Sequence, residues 1–373
     1  MSYLSVSSVK TKSELDEFIN LPWEIYKYDA HWVPPLISEV KYLLSEQNPF
    51  WTHADCEHFI LKKGNETVGR ISAVIDYNYQ KVHNEKVGFF GFYESYDNEE
   101  HSAILLNTVK EWLKSRNVSK MFGPVNPSTN DEMGFLMDGF FESPKLMMPY
   151  NPPYYLSLME AYGLVKIKDL YAFIVDVKNA PFEKLEKVTS FIKRKNKKVN
   201  VRPIDLKNFN KDIKNALSIY NEAWELNWGF VPWTEEEFFD TAKKLKAMLF
   251  RDTTLFVEID GEPAGMLIGV PDYNEVIKKL NGKLNLFNII KFLFYKKRIK
   301  GLRVMILGVK QQFRKKGLEA LLYLEAAKNA HKAGFTHSEM SWVLEDNALT
   351  NSAVEMLGGK IYKRYRVYQC DIV

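Results

Sequence analysis

Two stretches of this 373-residue chain, ETVGRISAVIDYN (Glu66 to Asn78) and EPAGMLIGVPDYN (Glu262 to Asn274), carry Glu, Gly and Asp-Tyr-Asn at identical spacing, 196 positions apart. Each follows a strand-like run, HFILKK or TLFVEID, so each reads as a β-hairpin closed by a Gly or Asn turn. The flanks repeat in the same register. VSSVKTKSELDEFI precedes VRPIDLKNFNKDI by 195 positions, and Gly163 leads to Asp176 over the same 13 residues that separate Gly358 from Asp371. One α/β unit written twice is therefore expected, residues 1–177 and 196–373, joined by a basic linker over 178–195.

The offset between the copies changes in the middle, and the change locates two insertions. Matching AILLNTVKEWLKSRNV to EALLYLEAAKNAHKAG needs a shift of 216, after which the final strands return to 195. The second copy thus carries about 20 extra residues before its middle helix, and the first copy about 20 after its own. The former, Lys278 to Lys300, has eight basic residues and no acidic one; the latter, Asn126 to Tyr155, is rich in Met, Phe, Tyr and Pro. Insertions on a shared framework are where scaffolds carry specificity. Leu284 to Tyr295 followed by basic residues reads either as a lid helix over a pocket or as a membrane-surface helix.

Composition narrows the classes. With 51 basic against 47 acidic residues, no global field recruits nucleic acid, and any cation-rich site must be local, so no DNA partner is expected. Two cysteines make neither a disulfide framework nor a four-cysteine metal site, and His53, Cys56 and His58 in HADCEH lack a second ligand cluster. No metal is expected. The absence of a secretory signal and of a long apolar run points to the cytoplasm.

The chemistry-bearing stretch starts at RVMILGV, Arg303 to Val309, an apolar strand, and continues through QQFRKKG into a helical pattern that ends at Gly334. A helix N-terminus presents unpaired N–H groups and the positive end of its dipole, and a glycine there admits a ligand close to the backbone. Arg314, Lys315 and Lys316 add positive charge beside Gly317 and Leu318. The first copy has Glu94, Asp97, Glu99 and Glu100 in the corresponding region, which favours a helix start and opposes a phosphate.

Arg314-Lys315-Lys316-Gly317 after MILGV resembles the Arg/Gln-x-x-Gly-x-Gly/Ala motif of the Gcn5-related N-acetyltransferase (GNAT) superfamily. SWVLEDNALTNSAVEMLGG resembles that family's second signature, with Asn347, Thr350, Val354 and Gly358 at its intervals. The resemblance implies an α/β mixed-sheet fold with two GNAT-like domains, the first degenerate. It implies acetyl-CoA or another acyl-CoA as co-substrate, bound through Leu307, Gly308, Val309, Arg314, Lys315, Lys316, Gly317, Leu318 and Asn347, and acyl transfer to a small-molecule or peptide amine. Backbone N–H groups at Leu307 to Val309 would receive the developing oxyanion. Glu345 is the best-placed acid for a base. Trp228, Phe230 and Trp233 form the candidate acceptor wall, since acceptor sites of the family commonly use that loop.

The chain departs from the pattern in three respects, one being that no acidic residue lies on RVMILGV, where some relatives keep a general base. Glu319 stands where the first motif ends in a small residue, and Val354 replaces a Tyr that protonates the leaving thiolate in many relatives. Two other readings follow: an aminoacyl-tRNA-dependent transferase, as in tandem GNAT-like peptidoglycan-bridge enzymes with FIKRKNKK as the tRNA surface, and a non-catalytic acyl-CoA-binding protein.

Overall fold

The computed structural model describes residues 3–195 and 198–372 and divides the chain into two compact units. Unit one holds the residues up to Leu170 together with 277–292 and those from Lys363 onward; unit two holds 171–276 and 293–362. The first part of the chain forms β1 (Leu4–Ser8), α1 (Lys12–Ile25), α2 (Ile37–Leu43), β2 (Ala54–Lys63), β3 (Glu66–Asp76), α3 (Tyr77–His83), β4 (Val87–Ser95) and α4 (Glu99–Lys114). After these come β5 (Lys120–Gly123), β6 (Val125–Asn126), β7 (Glu132–Met133), β8 (Phe135–Asp138), α5 (Tyr154–Tyr162), β9 (Val165–Asp176) and α6 (Phe182–Lys195). Next are β10 (Val199–Pro203), α7 (Phe209–Trp224), α8 (Glu235–Leu245), β11 (Thr254–Ile259), β12 (Glu262–Pro271), α9 (Asn274–Ile277) and α10 (Leu286–Tyr295). The chain closes with β13 (Gly301–Val309), α11 (Leu318–Ala333), β14 (His337–Leu344), α12 (Ala348–Met356) and β15 (Lys360–Asp371).

In unit one the strand order is β1–β2–β3–β4–β5 followed by the second half of β15; β4 and β5 are parallel and the other neighbours antiparallel. One face is covered by α4 and α5, where Phe90, Leu105, Leu106, Val109, Tyr155 and Met159 are buried, and Phe18 and Ile19 of α1 pack against Ile60 and Phe92. Helix α1 starts at a capping box: Thr11 Oγ1 accepts from the Glu14 N–H at 3.2 Å while Glu14 Oε2 accepts from the Thr11 N–H at 2.9 Å. In the Met- and aromatic-rich insertion Met133 and Phe135 join the core of unit one and Leu136, Leu146 and Met148 are buried, while Phe141 is exposed.

Unit two repeats the scheme. Its order is β9–β14–β13–β12–β11–β10, with β13 and β14 parallel. Alternation along β11 and β12 separates two faces: Leu255, Val257 and Leu267 meet α11, while Phe256 and Met266 meet α7 and α8. The duplication reaches the irregularities. The β2–β3 hairpin is bulged between Leu61 and Lys62 and the β11–β12 hairpin between Val257 and Glu258, the same 196-residue shift read from the sequence. Asp260 and Gly261, both at positive φ, close the second hairpin.

The segment read as a basic linker carries α6, whose buried residues Leu185, Thr189 and Ile192 fall on one helical face. It lies antiparallel to α11: Phe182 meets His331, Glu186 pairs with Lys328 at 2.6 Å, and Ile192 reaches Gly317.

His58 connects unit one's packing to pH. Its Nδ1 lies 2.7 Å from Ser72 Oγ and its ring contacts Phe18 and Phe92; burial, with the nearby Arg70 charge, pushes its pKa down to about 4. The unfolded chain therefore binds this proton more readily between about pH 6.5 and 4, so stability falls as pH drops through that window. Urea unfolding at pH 7 and pH 4.5 checks this: His58→Gln should lose less stability on acidification than the wild type does.

Candidate functional site

Strand β13 pairs with β12 along its length, with Met305 bulged out where Val304 faces Gly269 and Ile306 faces Ile268. Its parallel pairing with β14 covers Gly301 to Val304 and, among the described residues, goes no further. From Met305 to Val309 the edge of β13 on the β14 side therefore has no ladder partner, which leaves backbone donors and acceptors for something else to satisfy. Leu307, Gly308 and Val309 lie on this stretch. Gly308 also serves packing, because a Cβ there would stand 2.3 Å from the Trp224 ring of α7.

Where the strands part, a charged cluster is buried. Arg303 Nε donates to Ser341 Oγ at 3.0 Å, Ser341 Oγ donates to Glu339 Oε1 at 2.6 Å, Arg303 and Glu339 are 3.8 Å apart, and the Tyr362 hydroxyl donates to Glu339 Oε2. Glu339 is wholly inaccessible to solvent. RVMILGV itself carries no acid, and Glu339 on the neighbouring strand was not among the residues singled out in the sequence. The available signal was a glutamate between apolar residues in HSEMSWVL, a buried strand position that requires a partner.

The loop after β13 makes a short 3₁₀ turn at Gln311–Phe313, then reaches Lys315 and Gly317, both left-handed at φ 63 and 76, with Gly317 capping the 16-residue α11. Its basic side chains are committed in different ways. Arg314 Nη2 donates to the Ala223 carbonyl at 2.6 Å in the last turn of α7, where a cation complements the helix dipole. Lys310 pairs with Glu222 at 3.1 Å, and the Lys316 ammonium sits over the Phe313 ring at 5.0 Å. A Cβ on Gly317 would meet Ile192 Cδ1 of α6 at 2.6 Å, so the linker helix packs against the N-terminus of α11. An apolar crevice lined by Leu185, Tyr323, Ala326, Met340 and Leu357 continues along the same side of the sheet.

Asn347 caps α12, its side chain accepting from the Thr350 N–H at 3.2 Å; Glu345 lies in the turn after β14 and its carbonyl accepts from Asn351. Val354 is buried in the apolar core, so that position supplies no acid. Phe230 and Trp233 pack around Tyr220, and Trp233 lies edge-on to Phe238 at 5.9 Å. These aromatics rest on the α7 face, opposite α11.

The first copy differs at the same point. There Glu94 is not at the helix start, as its sequence neighbours suggest, but inside: Arg70 lies 3.5 Å from Oε1 and the Tyr155 hydroxyl donates to Oε2 at 2.6 Å. Burial raises its pKa, and Arg70 and Tyr155 oppose that rise. Asp97, Glu99 and Glu100 do stand at the start of α4, where Asn98 caps it. The end of β4 is occupied by the protein itself: Ser95 N donates to Tyr155 Oη at 3.0 Å and Ser95 O accepts from Tyr154 at 2.8 Å.

Replacing Glu339 with Leu removes the carboxylate that faces a buried guanidinium, a change expected to cost about 3–5 kcal/mol. Tyr362→Phe, which removes one hydrogen bond to it, should cost about 1.5–3 kcal/mol. Denaturant unfolding of the two variants provides the comparison.

No protein-family model matches the chain. Protein YghO of Escherichia coli strain K12 is 35% identical over 98% of this chain and 95% of its own length. A Caulobacter vibrioides protein named bacterial ceramide synthase is 34% identical over 98% of this chain and 97% of its own length. Among solved structures, a tandem GNAT protein from the clavulanic acid biosynthesis pathway superposes with a TM-score of 0.59 at 10% identity, over 100% of this chain and 99% of that one. With the parted parallel strands, the paired hairpin bulges and the duplicated order of elements, these likenesses show that the chain has the tandem GNAT fold and belongs to one family with YghO and the Caulobacter protein.

Proposed function

We propose that the protein is an N-acyltransferase whose second copy binds an acyl-CoA along the free edge of β13 and passes the acyl group to a long-chain lipid amine. The observation that carries the donor half is the stretch Met305 to Val309, which among the described residues has no ladder partner on the β14 side, leading into a left-handed glycine at the start of α11. Backbone N–H groups of the Leu307 to Val309 stretch suit the thioester carbonyl, and the N-terminus of α11 with Lys315, Lys316 and Leu318 beside it suits a diphosphate. Lys193, Arg194 and Lys195 follow Ile192 directly and add positive charge from α6. The acceptor half is supported by the name of the 34%-identical relative, which denotes amide formation on a long-chain amino alcohol.

In this reading the amine nitrogen attacks the thioester carbon, the C–N bond forms, the C–S bond breaks and the thiol departs with a proton. Glu345, at the end of β14 beyond the parting, takes the amine proton, and Asn347 holds that turn against α12. The loop through Trp228, Phe230 and Trp233 stands on the acceptor side. A second reading, acyl-CoA binding without turnover, is favoured by Val354, which lies buried where many relatives carry a tyrosine.

Mass spectrometry after incubation with acyl-CoAs and a panel of amines decides between them. Amide formation on a long-chain amino alcohol is expected. Products with short polar amines alone would remove the lipid acceptor, and CoA binding with no amide from any amine would establish the second reading.

Calorimetry with CoA tests the donor site. Gly317→Val should weaken binding by about tenfold or more, since its side chain fills the approach to the backbone. Ile192→Ala should strengthen it by freeing that N-terminus. Unchanged affinity in both variants would place the diphosphate elsewhere.

A further inference from the structure

Helix α10 is oriented unlike any ordinary surface helix in this chain. Leu286, Phe287, Ile290, Leu293 and Phe294 share one face by helical spacing, and that face points to solvent, with Leu286 77%, Phe287 66% and Phe294 56% exposed. Ile289 extends the same apolar arc. The opposite face carries Asn288, which is buried and donates through Nδ2 to the carbonyls of Leu280 at 3.1 Å and Lys283 at 2.8 Å. Asn288 is thus turned inward, with Phe292 and Tyr295 partly covered beside it, while the larger apolar arc faces outward. Of the two sequence expectations, a lid over a pocket would require the apolar face to be covered.

The segment leading into the helix is held to unit one. Trp23 Nε1 donates to Asn281 Oδ1 at 3.0 Å, the Ile37 N–H to the Gly282 carbonyl at 2.9 Å, and Lys278 Nζ to Ser143 Oγ at 3.0 Å, all within unit one. Gly282 is at φ 76, and a Cβ there would meet the Trp23 ring at 2.4 Å, so this junction admits little else.

Charge identifies what the exposed face meets. The segment from Lys278 to Lys300 has eight basic residues and no acidic one, in a chain otherwise nearly balanced. Lys291 lies over the Phe287 ring at 4.6 Å and Arg298 over the Phe294 ring at 4.4 Å, so cations flank the apolar face, and Lys283, Lys296 and Lys297 are exposed around it. A second copy joined through this face would bring Lys291, Lys296, Lys297 and Arg298 against the same four cations, which opposes self-association. At ten residues the helix is too short to cross a bilayer.

We propose that α10 docks the protein on an anionic lipid bilayer, lying in the plane of the interface with Leu286, Phe287, Ile290, Leu293 and Phe294 among the acyl chains and the flanking lysines and Arg298 against lipid phosphates. Burial of apolar side chains and attraction of cations to an anionic surface act together in such a helix, and each is required. The proposal stands apart from the acyl-transfer reading, because neither thioester nor amine enters it.

The test is co-sedimentation of the full chain with vesicles of phosphatidylcholine alone and of phosphatidylcholine mixed with phosphatidylglycerol. Binding to the mixed vesicles, weak binding to the neutral ones, and loss of binding at high salt are expected. Phe287→Ser with Phe294→Ser should lower affinity for the mixed vesicles by about tenfold or more, and Lys296→Gln, Lys297→Gln and Arg298→Gln together should do the same. These side chains are exposed, so thermal unfolding midpoints should match the wild type. Equal binding of the charge variant, or indifference to phosphatidylglycerol, would overturn the proposal. So would a wild-type chain that ignores vesicles but self-associates in a way that the two Phe changes abolish, which would assign the face to a second copy.

Discussion

The parallel ladder between β13 and β14 stops at Val304, and the chemistry available to the second copy follows from that stop. A strand edge inside a protein must satisfy its N–H and C=O groups, and the two copies do so by different means. In the first, β4 and β5 also part, after Phe89 and Phe122. The edge beyond is then filled from the first copy's insertion and the residues after it: Asn126 accepts from the Phe92 N–H at 2.6 Å, and Tyr154 and Tyr155 occupy Ser95. The second copy has a differently placed insertion, and no ladder partner covers its edge among the described residues. One framework thus yields one strand edge filled by the chain itself and one that, among the described residues, has no ladder partner, through the placement of about 20 residues.

The cluster of Arg303, Glu339, Ser341 and Tyr362 sits where the strands of unit two part. Buried charges are costly unless paired and hydrogen-bonded, and here the contacts among these four residues run between β13, β14 and the start of β15. The cluster therefore ties three strands together at the level where the β13–β14 ladder stops. Its counterpart in unit one, Arg70 with Glu94 and Tyr155, pairs the same residue types but closes over the strand end.

Basic residues in this chain have three separate fates. Arg314 closes the C-terminus of α7, the residues around Lys316 remain at the start of α11, and the cluster after α10 borders an apolar face in solvent. Net charge conceals this division, because the first fate is structural, the second suits a diphosphate and the third suits a surface.

Much of the fold was legible in the amino-acid sequence. The hairpins and their 196-residue spacing, the buried strand Arg303 to Val309, the capping glycines of α11 and the placement of both insertions all depend on local spacing and turn chemistry, which survive without knowledge of distant contacts. The site was legible only in part. Glu339 was invisible as a partner of Arg303 because the two are 36 residues apart and meet only once β13 and β14 align. Glu94 read as a surface charge because nothing in its neighbours announced Arg70 and Tyr155. The segment 178–195 read as a solvated linker, since one buried face of Leu185, Thr189 and Ile192 counts for little until α11 lies beneath it. The direction in which α10 faces was likewise decided by tertiary structure. An apolar stripe specifies that a helix has a side to hide, but the anchoring of Asn288 and Gly282 in unit one determined that this side points outward.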